Sequence, residues 1–369
     1  MAGKNSKASQ KLLILVGVIA LVVLILDRNY TVVDWSQGGL GNQLFQYACH
    51  YALARKHNVP LYVQLHSALR EKLNLVSDDP LQKISTPSPT RSLAVTDRSF
   101  QLANFQVPLF HWNTIDETYT IPGHSNIADS AILSEAYSVN GSIISGYDYC
   151  QSETYFSQYR DELLELFKFR GDIYLLKETL EWEQKLLPDD RKTTTVAIHI
   201  RRGDFIRINA TIPISYYLTA VTKLFDKLGD SEKMSFFIFS DDIKYINETF
   251  LPTLLTFRDF SANHIYVVSD PTKLSGLEEF YLLSKCMHFI IPSSTFSWWA
   301  AYLGMGENKV VYAPHLREDF IKFLYPSGAR QEFYLFMYKH IHYPSGWNLI
   351  EPTWEDLDNP VGTTTETIV

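Results

Sequence analysis

Residues 194–242, TTVAIHIRRGDFIRINATIPISYYLTAVTKLFDKLGDSEKMSFFIFSDD, decide the fold. The apolar, β-branched run at 194–200 predicts a buried strand, and the apolar spacing over 215–228 predicts an amphipathic helix. A second apolar run at 235–240 predicts another strand, with a further helix expected from Asp241. The alternation continues with strands at 264–268, 288–291 and 309–312 and helices at 273–285 and 295–303. Strands alternating with helices of this length imply a parallel, doubly wound α/β sheet with right-handed crossovers, whose ligands sit at the carboxyl ends of the strands.

Upstream, TVVDW at 31–35, the Gly-rich turn SQGGLGN, a helix at 42–57 and PLYVQ at 60–64 read as a βαβ unit. Residues 67–145 carry no readable period. Two amphipathic helices are predicted at 160–169 and 174–187, and Pro188-Asp189-Asp190-Arg191 reads as an inter-domain linker. The last residues, 361–369, read as a frayed tail.

The chain has 369 residues, 46% hydrophobic and 20% charged, enough apolar surface for a large core or two domains. A peptide hormone, a disulfide mini-scaffold and global disorder are thereby excluded. The net charge of −8 argues against a surface that wraps nucleic acid. The first 26 residues hold three lysines and no acid, which leaves −11 on the rest, so an anionic ligand has to be met by a few placed cations. Cys49, Cys150 and Cys286 lie far apart, which suits neither a zinc ribbon nor a disulfide framework; at most one bridge can form, and Cys286, in an apolar run, is expected to be a buried thiol.

Residues 12–26, LLILVGVIALVVLIL, are uncharged and apolar, with Lys4, Lys7 and Lys11 before them and Asp27-Arg28 after. At 1.5 Å per residue the run spans about 22 Å, short against a hydrocarbon core of about 30 Å. Residues 27–30 offer no small-x-small cleavage site, so the run is expected to be an uncleaved transmembrane signal anchor. The lysine bias puts a tail of residues 1–11 in the cytosol and the remainder in the lumen, as a single-pass type II protein. A short anchor suits the thinner membranes of the early secretory route, Golgi or endoplasmic reticulum. Of the four sequons, Asn29 lies too near the bilayer, leaving Asn140, Asn209 and Asn247 as glycosylation candidates.

Three motifs follow strands. His199-Ile200-Arg201-Arg202-Gly203-Asp204 sets two guanidiniums at a strand's carboxyl end, suited to a bidentate grip on a diphosphate. Because neighbours on a strand point to opposite sides, only one arginine need reach the phosphate while the other pairs with Asp204 or another acid. Asp241-Asp242 could hold a ribose hydroxyl, a base edge or a metal, or simply cap the next helix. Ser293-Ser294-Thr295-Phe296-Ser297-Trp298-Trp299 opens a helix, whose hydroxyls and free N–H groups suit an anion, the tryptophans being read as core packing. Gly38-Gly39-Leu40-Gly41-Asn42 lacks dinucleotide spacing and reads as a close-approach loop. The one D-x-D string, Asp356-Leu357-Asp358, follows no strand, so no catalytic metal is expected.

GGLGNQLFQYACHYALARKHNVPLYV (38–63), GYDYCQSETYF (146–156), AIHIRRGDF (197–205), FSDD (239–242) and LLSKCMHFIIPSSTFSWWAAYLG (282–304) together resemble the α1,2-fucosyltransferase family. The likeness runs in order from about residue 31 to 320, and the H-x-R-R-G-D and G-x-L-G-N-Q strings are specific. The resemblance implies a GT-B-like fold of two Rossmann-type domains with parallel sheets after the N-terminal transmembrane helix. It divides the chain into an acceptor-side domain at 27–190, a GDP-fucose-binding domain at 191–325 and a C-terminal segment and tail at 326–369. It implies an inverting, metal-independent transfer from GDP-β-L-fucose to the 2-hydroxyl of a galactose-terminated glycan, with no further cofactor. Self-association stays open.

Carried over by position, Arg201 and Arg202 would grip the diphosphate, with His199 and Asp204 shaping their loop. Ser294, Thr295 and Ser297 would line the phosphate or fucose side. Asp241 and Asp242 would belong to the donor site, and Glu279, where relatives often have Asp, would contact guanine. Asn42 and Gln43 would face fucose or the acceptor. Asp204 is the candidate base, a dissociative route with proton transfer to phosphate being equally open. Two rival readings remain: transfer of the same sugar to a different acceptor, and a catalytically silent glycan-binding protein on this fold.

Overall fold

The computed structural model describes residues 31–34, 38–56, 61–64, 101–107, 143–144, 150–170, 177–187, 193–207, 210–229, 234–258, 260, 264–304, 306, 308–315, 318, 321–322, 335 and 342–352. The apolar run at 12–26, the sequons at Asn29, Asn140 and Asn209, the D-x-D string and the tail lie outside them. Among the described residues no helix is long and apolar enough to cross a membrane.

The chain divides into two compact units, one taking the described residues of Met1–Ser36, Gln46–Ile84 and Pro108–Cys150, the other those of Gln37–Phe45, Ser85–Val107 and Gln151–Val369. The division expected at 188–191 does not coincide with this one, and the packing explains why. The helix before that point binds a helix and a strand that follow it: Thr179 donates to Glu278 at 3.0 Å and the Tyr281 hydroxyl donates to Glu183, both on the helix Gly276–Ser284, and the Trp182 ring meets Tyr266 of the strand His264–Val267 edge-on.

In the first unit, β1 (Thr31–Asp34) and β2 (Leu61–Gln64) pair in parallel from Thr31↔Leu61 to Asp34↔Gln64; between them in the chain runs α1 (Leu40–Lys56), as the βαβ reading requires, its residues from Gln46 counted in this unit and those up to Phe45 in the second. A short β3 (Ile143–Ile144) adds parallel to β1 on its other side. Cys49 and Cys150 form one disulfide across 101 residues, while Cys286 stays free and buried, where desolvation pushes its thiol up.

In the second unit, α2 (Arg160–Leu166) and α3 (Lys177–Leu186) precede a six-stranded, all-parallel sheet. Its first half runs β4 (Thr194–Ile200), α4 (Gly203–Arg207), α5 (Ile214–Leu228) and β5 (Met234–Ser240). The chain continues through α6 (Ile243–Tyr245), a π segment (Ile246–Phe250), α7 (Leu251–Phe257) and β6 (His264–Val267). The second half is α8 (Gly276–Ser284), β7 (His288–Ile290), α9 (Thr295–Leu303), β8 (Val311–Pro314) and β9 (Asn348–Ile350). The strand order is β6-β5-β4-β7-β8-β9, so connections leave β4 in one direction and, from β7 onward, in the other. That reversal opens a crevice above the carboxyl ends of β4 and β7, where ligands of open α/β sheets bind.

β5 is buried along its whole length and β4 along all but its first residue, the continuous apolar pattern of strands covered on both faces. On α5, Tyr216, Tyr217, Ala220, Val221, Leu224 and Phe225 form the helical stripe that packs on Val196, Ile198 and Ile200. α8 starts with a capping box: Ser275 accepts from the Glu278 N–H and the Glu278 carboxylate accepts from the Ser275 N–H.

Two local readings need correction. The single helix expected after β5 is broken by the π segment, which ends two residues before Pro252; a proline there offers no N–H and crowds the preceding turn. The C-terminal segment also supplies the sixth strand, β9, paired with β8 from Tyr312↔Asn348 to Pro314↔Ile350. Three residues are too few to show a strand period.

Candidate active site

At the end of β4 the two arginines meet different surroundings. Arg201 is tied on both sides: its Nε and Nη2 donate to Asp204 Oδ1 at 3.1 and 2.8 Å, and its Nη1 lies 2.9 Å from Asp241 Oδ2. The Arg202 Nε donates to Asp242 Oδ2 at 2.9 Å, and its guanidinium lies 3.6 Å over the Tyr245 ring. No partner for Arg202 Nη1 or Nη2 occurs among the described residues, so this side chain is a fork stacked and anchored at its base with both prongs open. Both arginines follow the last residue of β4, and both are paired with acids, Arg201 through three nitrogens and Arg202 through Nε alone.

The acid pair at the end of β5 orders this loop. Asp241 Oδ1 accepts from the Arg202 N–H at 2.8 Å, and a Cβ added at Gly203 would lie 2.4 Å from Asp241 Oδ2, so a side chain there requires this carboxylate to shift. Asp242 caps α6 by accepting from the Tyr245 N–H at 3.0 Å while holding Arg202. Both acids are therefore arginine partners. Three carboxylates surround two guanidiniums, so the loop is not a simple cationic patch.

Behind it, Ser269 Oγ accepts from the Ser240 N–H at 2.9 Å and hydrogen-bonds the Glu279 carboxyl. Desolvation is the main cause that pushes Glu279 up to about 8; the neighbouring Asp241, Glu278 and Asp270 add to it, and the Ser269 bond opposes it.

On the other face of β4, His199 is buried against the Phe296 ring, with centroids 5.5 Å apart, and its Nδ1 has no partner among the described residues. Burial, and secondarily Arg201, lower its pKa to about 3, so the ring is neutral at physiological pH. Beside it α9 begins. Ser294 occupies the N-cap without a side-chain capping bond, and it and Thr295 are part-exposed. Ser297 differs from expectation: it is fully buried and donates to the Ser294 carbonyl at 3.3 Å, which makes it part of the helix start rather than a lining group.

The GGLGN loop is a close-approach loop, and what it approaches is backbone. A Cβ on Gly41 would lie 2.3 Å from Thr295 C and 2.5 Å from Phe296 N, so the first turn of α1 rests on the first turn of α9. Asn42 is part-exposed, its Oδ1 accepting from Gln151 Nε2 at 3.0 Å. Gln43 is buried, with Nε2 donating to Gly38 O and Oε1 accepting from the Gln101 N–H, so its amide staples the loop instead of facing an acceptor. Trp298 and Trp299 are fully buried among Phe45, Phe156 and Tyr302, as core packing. Among the described residues no group of three or more His, Cys, Asp or Glu side chains could hold a metal ion.

A family model for glycosyl transferase family 11 matches residues 100–328, which include every arginine, acid and hydroxyl just described. The chain belongs to glycosyl transferase family 11.

Curated relatives of this family 11 protein include the O-antigen biosynthesis glycosyltransferase WbnK of Escherichia coli, 28% identical and aligned over 75% of this chain and 91% of that one. An alpha-1,2-colitosyltransferase of Escherichia coli is 27% identical over 75% and 89%, and galactoside alpha-(1,2)-fucosyltransferase 2 of Hylobates lar 24% over 79% and 75%. Among solved structures, the fucosyltransferase NodZ from Bradyrhizobium aligns with a TM-score of 0.44 at 13% identity, over 74% of this chain and 92% of that one. The protein is thus a fucosyltransferase-like glycosyltransferase of family 11.

Two residues of the family 11 site escape sequence reading. Tyr245 is the platform under Arg202, and Ser269 links β5 to Glu279. Tyr245 stands three residues after the N-cap Asp242, a spacing that puts it one turn from the acid but says nothing about the arginine above it.

Proposed function

We propose that this family 11 glycosyltransferase moves L-fucose from GDP-β-L-fucose to the 2-hydroxyl of a terminal galactoside with inversion, needs no metal, and works on the lumenal side of a Golgi membrane. The observation that carries the reading is the open Arg202 fork, fixed by Asp242 and Tyr245 above the switch point of the sheet. The named galactoside fucosyltransferases among its relatives support the donor and the linkage. The single disulfide supports an oxidising compartment.

In this mechanism the bond between fucose C1 and the β-phosphate oxygen breaks with its electron pair passing to phosphate. The Arg202 prongs and the N–H groups opening α9 stabilise the charge that builds there. The acceptor hydroxyl attacks from the opposite face, and its proton passes to Asp204 or to the departing phosphate. Glu279 accepts the guanine N–H groups.

That assignment has a pH signature. The folded state keeps Glu279 protonated up to about 8, whereas the unfolded chain releases the proton near 4.5. This group's contribution to stability is therefore present below 4.5 and is lost as pH rises toward 8. Glu279→Gln is expected to flatten that slope in urea titrations between these limits, and to remove the tightening of GDP affinity as pH rises toward 8. An unchanged slope in the variant contradicts the placement of the proton.

The test of the reading is to supply the full chain, in detergent and EDTA, with GDP-fucose and a panel of galactosides. An α1,2-linked product formed in EDTA is expected. Transfer restored only by Mn²⁺, or transfer only to non-galactoside acceptors, refutes the corresponding part. Because one relative is a colitosyltransferase, GDP-colitose forms a second arm, and preference for it reassigns the donor sugar.

A further inference from the structure

From Leu40 to His50 every residue of α1 is buried except Asn42, so that side chain is where this stretch of helix can meet a ligand. Two sets of contacts place it at the edge of the crevice. The residue before it, Gly41, rests on the backbone of Thr295 and Phe296 at the start of α9. Its hydrogen-bond partner Gln151 accepts the His342 N–H on the backbone carbonyl at 3.0 Å, and the side chain of the next residue, Tyr343, is hydrogen-bonded to that of Ser293, just past the end of β7.

The Asn42 amide is held from one side. Gln151 Nε2 donates to Asn42 Oδ1 at 3.0 Å, which in a planar amide turns Nδ2 away from Gln151, and Nδ2 has no partner among the described residues. Gln151 itself is 5% exposed, and its Oε1 is buried with no hydrogen-bond partner there. An unpaired carbonyl in the core is destabilising, and a side chain needed only to fill this space would be apolar. The bond to Asn42 is the one polar contact of the Gln151 side chain among the described residues, so its effect is to fix which end of the Asn42 amide is left open. An untethered asparagine offers either its carbonyl or its NH2; this one offers NH2, a donor suited to a sugar oxygen.

We propose that Gln151 is a positioning residue of the transfer site: it holds the Asn42 amide with Nδ2 open, and that donor bonds an oxygen of one of the two sugars, fucose or galactoside. The inference deepens the fucosyl-transfer reading above and rests on it. GDP carries neither sugar, so its binding does not depend on Gln151, which separates this role from general support of the crevice.

The experiment compares the full chain with Gln151→Met, Asn42→Ala and the double variant, by thermal unfolding, by GDP affinity in calorimetry, and by KM for GDP-fucose and for a galactoside. Gln151→Met keeps the length of the side chain and removes both the donor and the unpaired carbonyl. It is expected to unfold no earlier than the parent, to bind GDP equally well, and to raise KM for one sugar substrate about fivefold, the worth of one neutral hydrogen bond. A rise for GDP-fucose identifies fucose as the sugar that Asn42 meets, and a rise for the galactoside identifies the acceptor. In the Asn42→Ala background the same change is expected to add nothing. Unchanged KM for both substrates overturns the proposal, as does full additivity of the two changes. Weaker GDP binding or earlier unfolding of Gln151→Met makes the residue structural and overturns it as well. A parent chain that transfers no fucose to any galactoside refutes the functional reading, and this inference with it.

Discussion

Arg202→Lys is expected to lower kcat/KM with GDP-fucose by at least about tenfold, roughly 1.4 kcal/mol of transition-state stabilisation, while the same exchange at Arg201 acts mainly on the stability of the loop. The difference follows from what holds each side chain. Arg201 has contacts to Asp204 and Asp241 through three of its nitrogens and presents little to a ligand. Arg202 is anchored through Nε to Asp242 and stacked on Tyr245, which leaves its two terminal nitrogens as a planar pair. A lysine keeps the charge but loses the fork, the stacking and the anchor through Nε. Steady-state kinetics checks this, with the loss expected in kcat as well as KM because phosphate charge develops as the bond breaks. Unchanged kinetics at position 202 removes Arg202 from the phosphate.

Gly41→Ala is expected to destabilise the second unit by about 3 kcal/mol, the upper range for a methyl forced into a packed site, and to abolish most transfer. The atoms such a methyl would meet are the backbone of Thr295 and Phe296, at 2.3–2.5 Å, and backbone cannot rotate away as a side-chain tip can. The two helix starts must separate, and α9 is the one whose opening N–H groups face the crevice. Gly39→Ala is the matched control, since nothing lies within 4 Å of a Cβ there. A urea titration of both variants beside the parent decides: a normal midpoint for Gly41→Ala means that the contact yields.

The second sheet was legible because its strands are covered on both faces and read as uninterrupted apolar runs; β4 begins and ends at the expected residues, 194 and 200. The placement of two motifs followed from topology alone, because β4 and β7 flank the switch point. What the sequence could not show was pairing. The sequence suggested an acid partner for one arginine, Asp204 or another, but not that Asp241 and Asp242, some forty residues away, stand against the pair. Gln43 and Ser297 carry the polar groups of ligand contacts, but burial and local backbone bonds absorb them. The short strands β3 and β9 fell below the length at which a period can be seen.

The most direct test of the central claim, that the Arg202 fork holds the donor diphosphate, is a crystal structure of the protein with GDP bound. The expected result has the terminal nitrogens of Arg202 in hydrogen-bond contact with phosphate oxygens above the ends of β4 and β7, beside Ser294 and Thr295. A diphosphate bound elsewhere, with Arg202 still held only by Asp242 and Tyr245, contradicts it.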